Sequence, residues 1–538
     1  MVYLLAAVVI LLAVFAEKIS ARLGLPALLL FMLIGMIFGS DGFLKIPFEN
    51  YALCEQICSG ALVFIMFYGG FNLNWKMAKS SAVQAVLLST FGVLITTAIS
   101  TFLIHLFLKM DFVSSFLISA VLGSTAAASV FSILRSRHLN LKDHTAPLLE
   151  MESGSNDPVS YMLTLIGIRL MQSGNAGHLV LEVFQQLSFG IGCGVVFFYL
   201  CRLLMKAAKL VNSDLAAIYI LSMVLACYGL CSLLGGNAYL AVYLFGILLG
   251  NSDIPFKRKS IGFFDSLSTL AQIVIFFLLG LLSFPSQISN TIGSSLAIML
   301  ILLLAARPIA VFLILLPFKA SLQKCLLVSF AGLRGAASCV FAIMAVAAGV
   351  HLDQNLFQIV FVVTLLSTSV QGGLLPWMAE KLNMLDENED VSRTFNDYVK
   401  KSRLSMMRMF ISEKSDWACK TIKDLHLPED TLALMLERDG QKIICKGDTQ
   451  ILPGDSLILS GSPFWTDGSE DLEEVEIEAS HDWTGKSIRE LNLPETQLIS
   501  MIIRDNESLI PDGNTRIHQN DLLVIYNAQK APKSEDAG

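Results

Sequence analysis

Three acidic residues lie inside one strongly apolar stretch, LLEMESGSNDPVSYMLTL: Glu150, Glu152 and Asp157. On a helix that enters a membrane near Pro147, Asp157 lies about ten residues in, which is roughly 15 Å deep. A carboxylate at that depth is unstable as a bare charge, so it holds either a proton or a cation. The adjacent Asn156 supplies an uncharged oxygen. The pattern predicts a site at Asp157 that binds a cation and a proton in turn.

A structural role for Asp157 is the alternative, in which its side chain caps a helix break before Pro158. A capping aspartate does not need to lie at the bilayer middle, so we favour the ion site. Two arginines, Arg307 and Arg334, also fall inside apolar stretches, where an unpaired charge costs several kcal/mol. Glu152 lies about 7.5 Å nearer the cytoplasm than Asp157. We predict that Glu152 forms a structural ion pair with one of the two arginines, which leaves Asp157 free.

Two further stretches combine small and polar residues at mid-depth of apolar segments. They are GSTAAAS at 123–129, which contains Ser124 and Thr125, and AGLRGAAS at 331–338. Such composition suits interrupted helices, whose opened backbone provides ligands for ions. Close packing of membrane helices through small residues is the alternative. If the helices are interrupted, Ser124 and Thr125 offer oxygens to the ion at Asp157.

The composition shows what kind of elements must position these residues. The chain has 538 residues, 54% hydrophobic and 15% charged, whereas an average soluble domain is about 25% charged. Residues 1–380 hold 20 basic and 15 acidic residues, net +5, and the remainder hold 18 and 30, net −12. We predict an all-α polytopic membrane domain with an acidic soluble region after it. Thirteen apolar runs are long enough to span a bilayer, at 2–17, 25–40, 53–71, 80–108, 113–134, 147–170, 179–201, 215–234, 236–250, 264–283, 292–317, 325–349 and 356–379.

The charges of the short loops predict the orientation of the chain, because cytoplasmic loops collect Lys and Arg. With the N-terminus outside, the outer side holds only Lys45, Lys109 and Arg169. The inner side holds fifteen: Lys18, Arg22, Lys76, Lys79, Arg135, Arg137, Lys142, Arg202, Lys206, Lys209, Lys257, Arg258, Lys259, Lys319 and Lys324. We therefore expect a multi-pass protein of the cytoplasmic membrane with its C-terminal region in the cytoplasm.

Three motifs in the apolar region resemble those of the bacterial monovalent cation/proton antiporters. They are ESGSNDP at 152–158, GLRGAAS at 332–338 and SVQG at 369–372. The resemblance covers essentially the whole membrane part. It implies a homodimer of thirteen-span protomers, inverted repeats with discontinuous helices, and a mobile core that moves as an elevator. It also implies that Asp157 is the shared ion and proton site, that Asn156 is its neighbour, and that Glu152 pairs with an arginine.

One position departs from the antiporter pattern. Members of the family usually carry Ser-Thr-Asp in the fifth span, and here the run is Ser124, Thr125, Ala126. The acid at the third position is missing, so Asp157 is left to bind the cation with hydroxyl oxygens alone. If the missing acid normally tunes cation affinity, we expect transport to be weak or absent in this chain.

The acidic tail contains an internal repeat. DWACKTIKDLHLPEDTLALMLERDG at 416–440 aligns without gaps on DWTGKSIRELNLPETQLISMIIRDN at 482–506, a constant offset of 66 residues. Two copies of one small α/β fold follow. The tail resembles the C-terminal subdomain of regulators of potassium conductance, which implies pairing and binding of a small ligand; a plain dimerisation module is the alternative. We divide the chain into a transmembrane exchanger domain at 1–381, a linker at 382–402, and regulatory repeats at 403–465 and 466–538.

These observations favour a secondary active antiporter that exchanges K⁺ or Na⁺ for H⁺ and serves pH, cation and volume homeostasis under control of its tail. The resemblance of the tail to regulators of potassium conductance favours K⁺. A ligand-gated cation channel and a membrane sensor with a decayed transport site stay open as alternatives. No catalytic motif, resident cofactor or nucleic-acid partner is predicted, since the histidines show no ligand spacing and the soluble region is acidic.

Overall fold

The computed structural model divides the chain into two compact units, Met1–Lys400 and Lys401–Gly538. It describes residues 2–23, 26–73, 75, 79–126, 129–130, 133–134, 139–173, 177, 179–207, 215–252, 254, 257–350, 352, 354–385, 405–411, 415, 417–425, 427, 431–438, 441–461, 472–477, 483–491, 493–494, 497–504, 507–509, 511–519 and 521–527. The linker predicted at 382–402 lies outside the described residues beyond Leu385. The domain boundaries assigned from the sequence stay a prediction.

The long regular elements in the described part of the first unit are helices. Its helices are α1 Val2–Leu23, α2 Ala27–Phe38, α3 Tyr51–Asn72, α4 Ala82–Leu108, α5 Phe112–Val121, α6 Thr145–Ser173, α7 Leu179–Ala207, α8 Ala216–Leu233, α9 Ala238–Gly250, α10 Lys257–Leu282, α11 Pro285–Phe318, α12 Leu322–Phe330, α13 Ala336–Ala347 and α14 Leu356–Lys381. Single π-helical turns interrupt three of them, at Leu88–Gly92 in α4, Leu302–Ala306 in α11 and Ser367–Gln371 in α14.

The predicted membrane class is confirmed. Among the described residues, seven helices are long and apolar enough to cross a bilayer, and four shorter apolar helices accompany them. The long helices are α3, α4, α7, α8, α11, α14 and the part of α10 from Ser260 to Leu282. Helix α6 is not among these apolar helices, although it runs for 29 residues, because the first half of it is rich in polar and acidic residues. The count of thirteen spans stays a prediction.

Two elements that were predicted to be interrupted are interrupted. Helix α5 ends at Val121, and Ser124–Ala126 are not helical. The second break separates α12, which ends at Phe330, from α13, which begins at Ala336. The backbone N–H of Ala126 donates to the carbonyl oxygen of Leu333 at 2.7 Å, so the two opened segments lie against each other.

Gly335 makes this close approach possible. A Cβ atom at position 335 would lie 2.4 Å from the Cβ of Ala126, a distance that real side chains do not reach. The absence of a side chain at 335 therefore lets the backbones of the fifth and twelfth predicted spans touch. Opened backbone inside a membrane is tolerated only where protein groups satisfy it. The crossing is thus the position around which polar groups must gather.

The second unit contains two antiparallel sheets of the same topology. Strands β1 Ser405–Phe410, β2 Thr431–Arg438, β3 Gln441–Ile444 and β4 Ser456–Gly461 form one sheet in the order β1-β4-β2-β3; β5 Leu472–Glu476, β6 Gln497–Arg504, β7 Glu507–Leu509 and β8 Leu522–Asn527 form the other in the order β5-β8-β6-β7. Strands β2 and β6 start and end 66 residues apart. The register shifts also match, between Ala433 and Met435 in one sheet and between Ile499 and Met501 in the other. The predicted repeat is confirmed.

Each sheet has its own small core. The described part of the tail contains less helix than the predicted α/β fold implies. Helical turns in the described tail are 3₁₀ only, at Ile422–Asp424 and Ile488–Leu491. The reason lies in the segment itself, where a Leu-Pro pair follows within six residues and proline disfavours a helical residue before it. Trp417 and Trp483 pack against the cores of their own sheets.

Candidate ion-binding site

Asp157 lies on α6 beside the opened segment that follows α5. Its side chain is buried, with 6% of the residue exposed. The hydroxyl of Ser124 donates a hydrogen bond to Asp157 Oδ1. Helix α6 runs through Pro158 without ending, so Asp157 does not cap a helix break and the structural alternative for this residue is wrong. The carboxylate and the hydroxyl bring two oxygen ligands together in the protein interior.

Asn156 connects the neighbouring polar groups and does not turn towards solvent. Its Nδ2 donates to Thr125 Oγ1 at 2.5 Å and to Glu152 Oε1 at 3.2 Å, and its Oδ1 accepts from the backbone N–H of Thr125 at 3.4 Å. The hydroxyl of Thr125 lies 3.5 Å from Glu152 Oε2. Ser153 also donates to the carbonyl oxygen of Thr125, at 2.5 Å. Asn156 and Ser153 therefore hold the opened segment in place against α6.

Glu152 forms a two-pronged ion pair with Arg307. The guanidinium Nη1 lies 2.9 Å from Oε1 and Nη2 lies 3.1 Å from Oε2, with both side chains almost fully buried. Arg307 follows directly after the π-helical turn Leu302–Ala306 in α11. Of the two arginines that the sequence left open, Arg307 is therefore the one that pairs with Glu152.

Arg334 has a different function in the structure. Its Nη1 donates to the carbonyl oxygens of Leu122 and of Ser124, the latter at 3.1 Å. Helix α5 has just ended there, so these carbonyls lack the amide partners that a continued helix would give them. A buried guanidinium with several donors satisfies them, as membrane depth requires. Arg334 thus stabilises the break between α5 and the opened segment, and it does not pair with Glu152.

Residues of α14 complete the second break, and only one of them belongs to a motif found in the sequence. The backbone N–H of Arg334 donates to Ser367 Oγ at 3.1 Å, and Thr368 Oγ1 donates to the Arg334 carbonyl at 3.3 Å. Gln371 donates to the carbonyl of Phe330 at 3.3 Å. Gln371 belongs to the motif SVQG, whereas Ser367 and Thr368 lie just before it. The sequence feature that could have identified Ser367 and Thr368 is their polarity inside an apolar run.

A small polar cavity lies behind the ion pair. It has space for about one water molecule, and its lining includes Arg307, Ser329, Gly332, Ser367 and Gln371. The Nε of Arg307 is buried and has no hydrogen-bond partner in the structure. A water molecule there would satisfy it. The cavity therefore belongs to the structural pair and not to the ion ligands.

The charges of the site leave one carboxylate, that of Asp157, without a basic partner among the described residues. Arg307 neutralises Glu152, and among the described residues no lysine or arginine forms an ion pair with Asp157. Ala126 contributes no acid at the crossing. Within the described part of the chain, no three His, Cys, Asp or Glu side chains converge as they do in typical metal sites. One carboxylate with a hydroxyl oxygen suits a proton or a singly charged cation.

Comparison with known proteins places the two units in two families. Residues 5–381 match the transmembrane sodium/hydrogen exchanger family. Residues 406–463 and 472–529 each match the TrkA-C domain. The first match covers the whole region that holds Asp157 and both breaks. The second repeats at the offset that relates the two sheets.

Several relatives are similar to this chain over most of their length. A protein of Alkalimonas amylolytica named K(+)/H(+) antiporter NhaP is 32% identical over 465 residues, which is 84% of this chain and 79% of the relative. The K(+)/H(+) antiporter NhaP2 of Shewanella sp. strain ANA-3 is 31% identical over 466 residues, or 85% and 81%. The Na(+)/H(+) antiporter 1 of Methanocaldococcus jannaschii is 27% identical over 358 residues, or 63% and 81%.

Solved structures support the fold of the membrane unit. The sodium proton antiporter MjNhaP1 of Methanocaldococcus jannaschii at pH 8 superposes with a TM-score of 0.61 at 24% identity, covering 70% of this chain and 97% of the other. An electron-microscopy structure of the same protein gives a TM-score of 0.59 at 25% identity, covering 70% and 96%. The membrane unit therefore has the fold of these solved structures.

Proposed function

The chain belongs to the sodium/hydrogen exchanger family and exchanges a monovalent cation for protons across a membrane, and we propose that Asp157 binds the cation and the proton in turn. The observation that carries this proposal is that two carboxylates five residues apart have different partners. Glu152 is neutralised by Arg307 at 2.9 and 3.1 Å, whereas Asp157 accepts from the Ser124 hydroxyl. A carboxylate that keeps no fixed positive partner is able to take up and release a cation.

The exchange cycle follows from competition at this single carboxylate. On the side of higher pH, Asp157 loses its proton and takes a cation, with the Ser124 hydroxyl oxygen as a second ligand. The core then moves as an elevator and exposes the site to the other side. There a proton replaces the cation, because both cannot occupy one carboxylate. Asn156 and Thr125 keep the opened segment in register with α6 during this cycle.

We further propose K⁺ as the preferred cation. The relatives that cover most of this chain are named K(+)/H(+) antiporters, and the tail carries two TrkA-C matches. The solved neighbour is titled a sodium proton antiporter, which makes Na⁺ the competing choice. A site with one carboxylate and no second acid at Ala126 has a weak field, which favours the larger and more easily dehydrated ion.

The proposal includes the placement and control of the protein. The loop charges support an N-terminus outside and a cytoplasmic tail, and the family resemblance supports a homodimer. The duplicated TrkA-C matches support a small-molecule ligand that gates transport from the tail, through the predicted linker 382–402. Exchange under such control would serve pH, cation and volume homeostasis.

Proton flux in proteoliposomes tests the transport proposal. Purified protein is reconstituted with a pH-sensitive dye inside the vesicles, and pulses of KCl and NaCl are applied to the wild type, Asp157→Asn and Asp265→Asn. Asp265 is the matched control, because it is an exposed acid on the membrane helix α10. We expect a K⁺-dependent pH change that disappears only in Asp157→Asn. Normal exchange in Asp157→Asn would overturn the role of this residue.

If the wild type shows no cation-dependent proton flux, a second experiment is needed. Deletion of residues 403–538 separates a transporter that its tail holds shut from a protein without transport activity. Exchange that appears after the deletion supports a closing tail. Currents far above carrier rates, without proton coupling, would instead identify a channel. Size-exclusion chromatography with light scattering reports whether the protein is the proposed dimer.

A further inference from the structure

Helix α9 belongs to a group of helices that does not carry the ion site. It packs chiefly against α3 and α7. The contact with α3 is at backbone distance, since a Cβ atom at Gly70 would lie 2.3 Å from the carbonyl oxygen of Tyr243, and one at Gly246 would lie 2.6 Å from that of Phe67. Helices whose backbones are in such close contact move as one body. We name this group of helices, α3, α7 and α9, the scaffold.

Helix α6, which carries Asp157, belongs to the other group. It packs chiefly against α5 and the first part of α4. The two groups meet where α9 crosses α6. If the core moves relative to the scaffold, as the proposed function requires, the contacts at this crossing have to break and reform.

Two polar contacts are made at the crossing, on either side of Asp157. Asn237, which precedes α9, donates through Nδ2 to the carbonyl oxygen of Pro158 at 2.7 Å, and it is almost fully buried. The hydroxyl of Ser155 donates to the hydroxyl oxygen of Tyr243 at 3.3 Å. One contact thus lies immediately after Asp157 and the other lies two residues before it.

Gly154, three residues before Asp157, leaves space for the Tyr243 side chain. A Cβ atom at position 154 would lie 2.8 Å from the Tyr243 hydroxyl oxygen and 2.9 Å from its ring, so Gly154 leaves the space that the ring occupies. Asn237 has a second fixed contact, because its Oδ1 accepts from the backbone N–H of Leu240 at 3.0 Å and caps α9. Asn237 and Tyr243 are thus held by the scaffold, and their partners, Pro158 and Ser155, lie on the helix that must move.

We propose that Tyr243 and Asn237 form a latch that holds the Asp157 segment of α6 against the scaffold, and that the intact latch slows the step that carries the bound ion across, because its bonds must break first. Neither residue contacts the Asp157 carboxylate among the described hydrogen bonds, so both are positioning residues. The inference rests on the proposed function, since it requires the core to move. A net hydrogen bond changes an equilibrium or a rate by about 2- to 12-fold.

The test is a double-mutant cycle on the Ser155 and Tyr243 hydroxyls. Tyr243→Phe and Ser155→Ala each remove one hydroxyl and keep the packing, and the double variant removes both. The maximal exchange rate per folded protein and its pH profile are measured in proteoliposomes. Tyr239→Phe is the control, because the Tyr239 hydroxyl donates to Ser59 on the neighbouring scaffold helix α3, at 3.4 Å.

We expect each single variant to raise the maximal rate by about 2- to 12-fold with an unchanged pH profile. The double variant should match either single variant, since both remove the same bond. The control should keep the wild-type rate. An unchanged or lower rate in Tyr243→Phe, additive effects in the double variant, or a shifted pH profile would overturn the latch, the last because it would place Tyr243 in the ion site itself. A wild type without cation-dependent proton flux would instead count against the proposed function.

Discussion

The membrane unit and the tail each contain a two-pronged pair between an arginine and a buried carboxylate. In the membrane unit, Arg307 meets Glu152 at 2.9 and 3.1 Å with 4% of the arginine side chain exposed. In the tail, Arg438 Nε and Nη2 meet Asp455 at 2.8 Å, and 32% of the arginine side chain is exposed. The chemistry is the same, and the surroundings differ.

The two pairs also differ in how the chain assembles them. Arg438 and Asp455 are 17 residues apart, and the repeat carries the same pair, Arg504 with Asp521, at 2.7 Å. The partners in the membrane unit lie 155 residues apart, on α6 and α11. A short segment with a fixed turn can bring its own pair together, whereas the membrane pair exists only once the helices have packed. Bulk solvent can still reach the tail arginine if its partner is lost, whereas the Arg307 side chain is almost fully buried.

Removal of Glu152 should have the largest effect on stability. Glu152→Ala leaves the Arg307 charge buried without a counter-charge, and breaking such a pair costs about 3–5 kcal/mol. We expect a lower thermal midpoint and less folded protein, measured by fluorescence-detected size-exclusion chromatography in detergent. Asp265→Asn serves as the control on an exposed acid. An undiminished thermal midpoint in Glu152→Ala would contradict the structural role of the pair.

The tail pairs should be weaker and equal to each other. Arg438→Ala and Arg504→Ala should each lower local stability by about 1–3 kcal/mol, since hydrogen bonds to charged groups have that range and both arginines are partly solvated. Hydrogen exchange of the full chain, followed by mass spectrometry, reports β2 and β4 separately from β6 and β8. Each variant should affect its own sheet. Clearly unequal losses in the two sheets would show that the repeats are not energetically equivalent.

Acid should weaken the same two sheets in a defined direction. The Arg438 hydrogen bond lowers the pKa of Asp455; burial acts to raise the pKa of Asp521, but Arg504 and the backbone N–H of His518 outweigh it and the pKa is lowered. A lowered folded-state pKa stabilises the fold above the unfolded value of about 3.9, and this stability is lost as pH falls through the folded value.

Hydrogen exchange of the tail strands between pH 6 and pH 3 measures this loss. We expect protection, corrected for the intrinsic exchange rate, to be constant down to about pH 4 and to fall below it. Asp455→Asn should remove the dependence from the first sheet and leave it in the second. Protection that instead rises on acidification would give the opposite sign and contradict the assigned pKa shifts.

An exposed pair completes the series with the smallest effect. Arg169 and Glu182 form an ion pair in which 61% of the arginine side chain is exposed. Arg169→Ala should change stability by about 0–1 kcal/mol, since solvated pairs are screened and ordering their side chains costs entropy. The thermal midpoint in detergent, compared with that of Glu152→Ala, provides the measurement. A loss as large as that of Glu152→Ala would show that burial does not set the ranking.

Much of the fold could be predicted because the bilayer imposes simple local rules. Apolar length identifies helices, and runs of small and polar residues identified both interruptions, next to Ser124 and Arg334. The tail strands followed from alternation and from the repeat. Local rules do not decide the exact type of a short helical turn, and the segment before Pro494 forms a 3₁₀ turn at Ile488–Leu491. Asp157 beside Pro158 also permitted a helix break that packing does not produce.

The sequence by itself determined which groups take part: the acids of α6, two arginines at membrane depth, two breakable segments and a duplicated tail. Residue type, depth and periodicity are local properties, so they can be read along the chain. The tertiary structure alone decided which groups meet. It paired Glu152 with Arg307, turned Arg334 to the carbonyls that end α5, and set Tyr243 and Asn237 against the Asp157 segment. These partners come from distant helices, and their contacts depend on how whole helices pack, a property that no local pattern encodes.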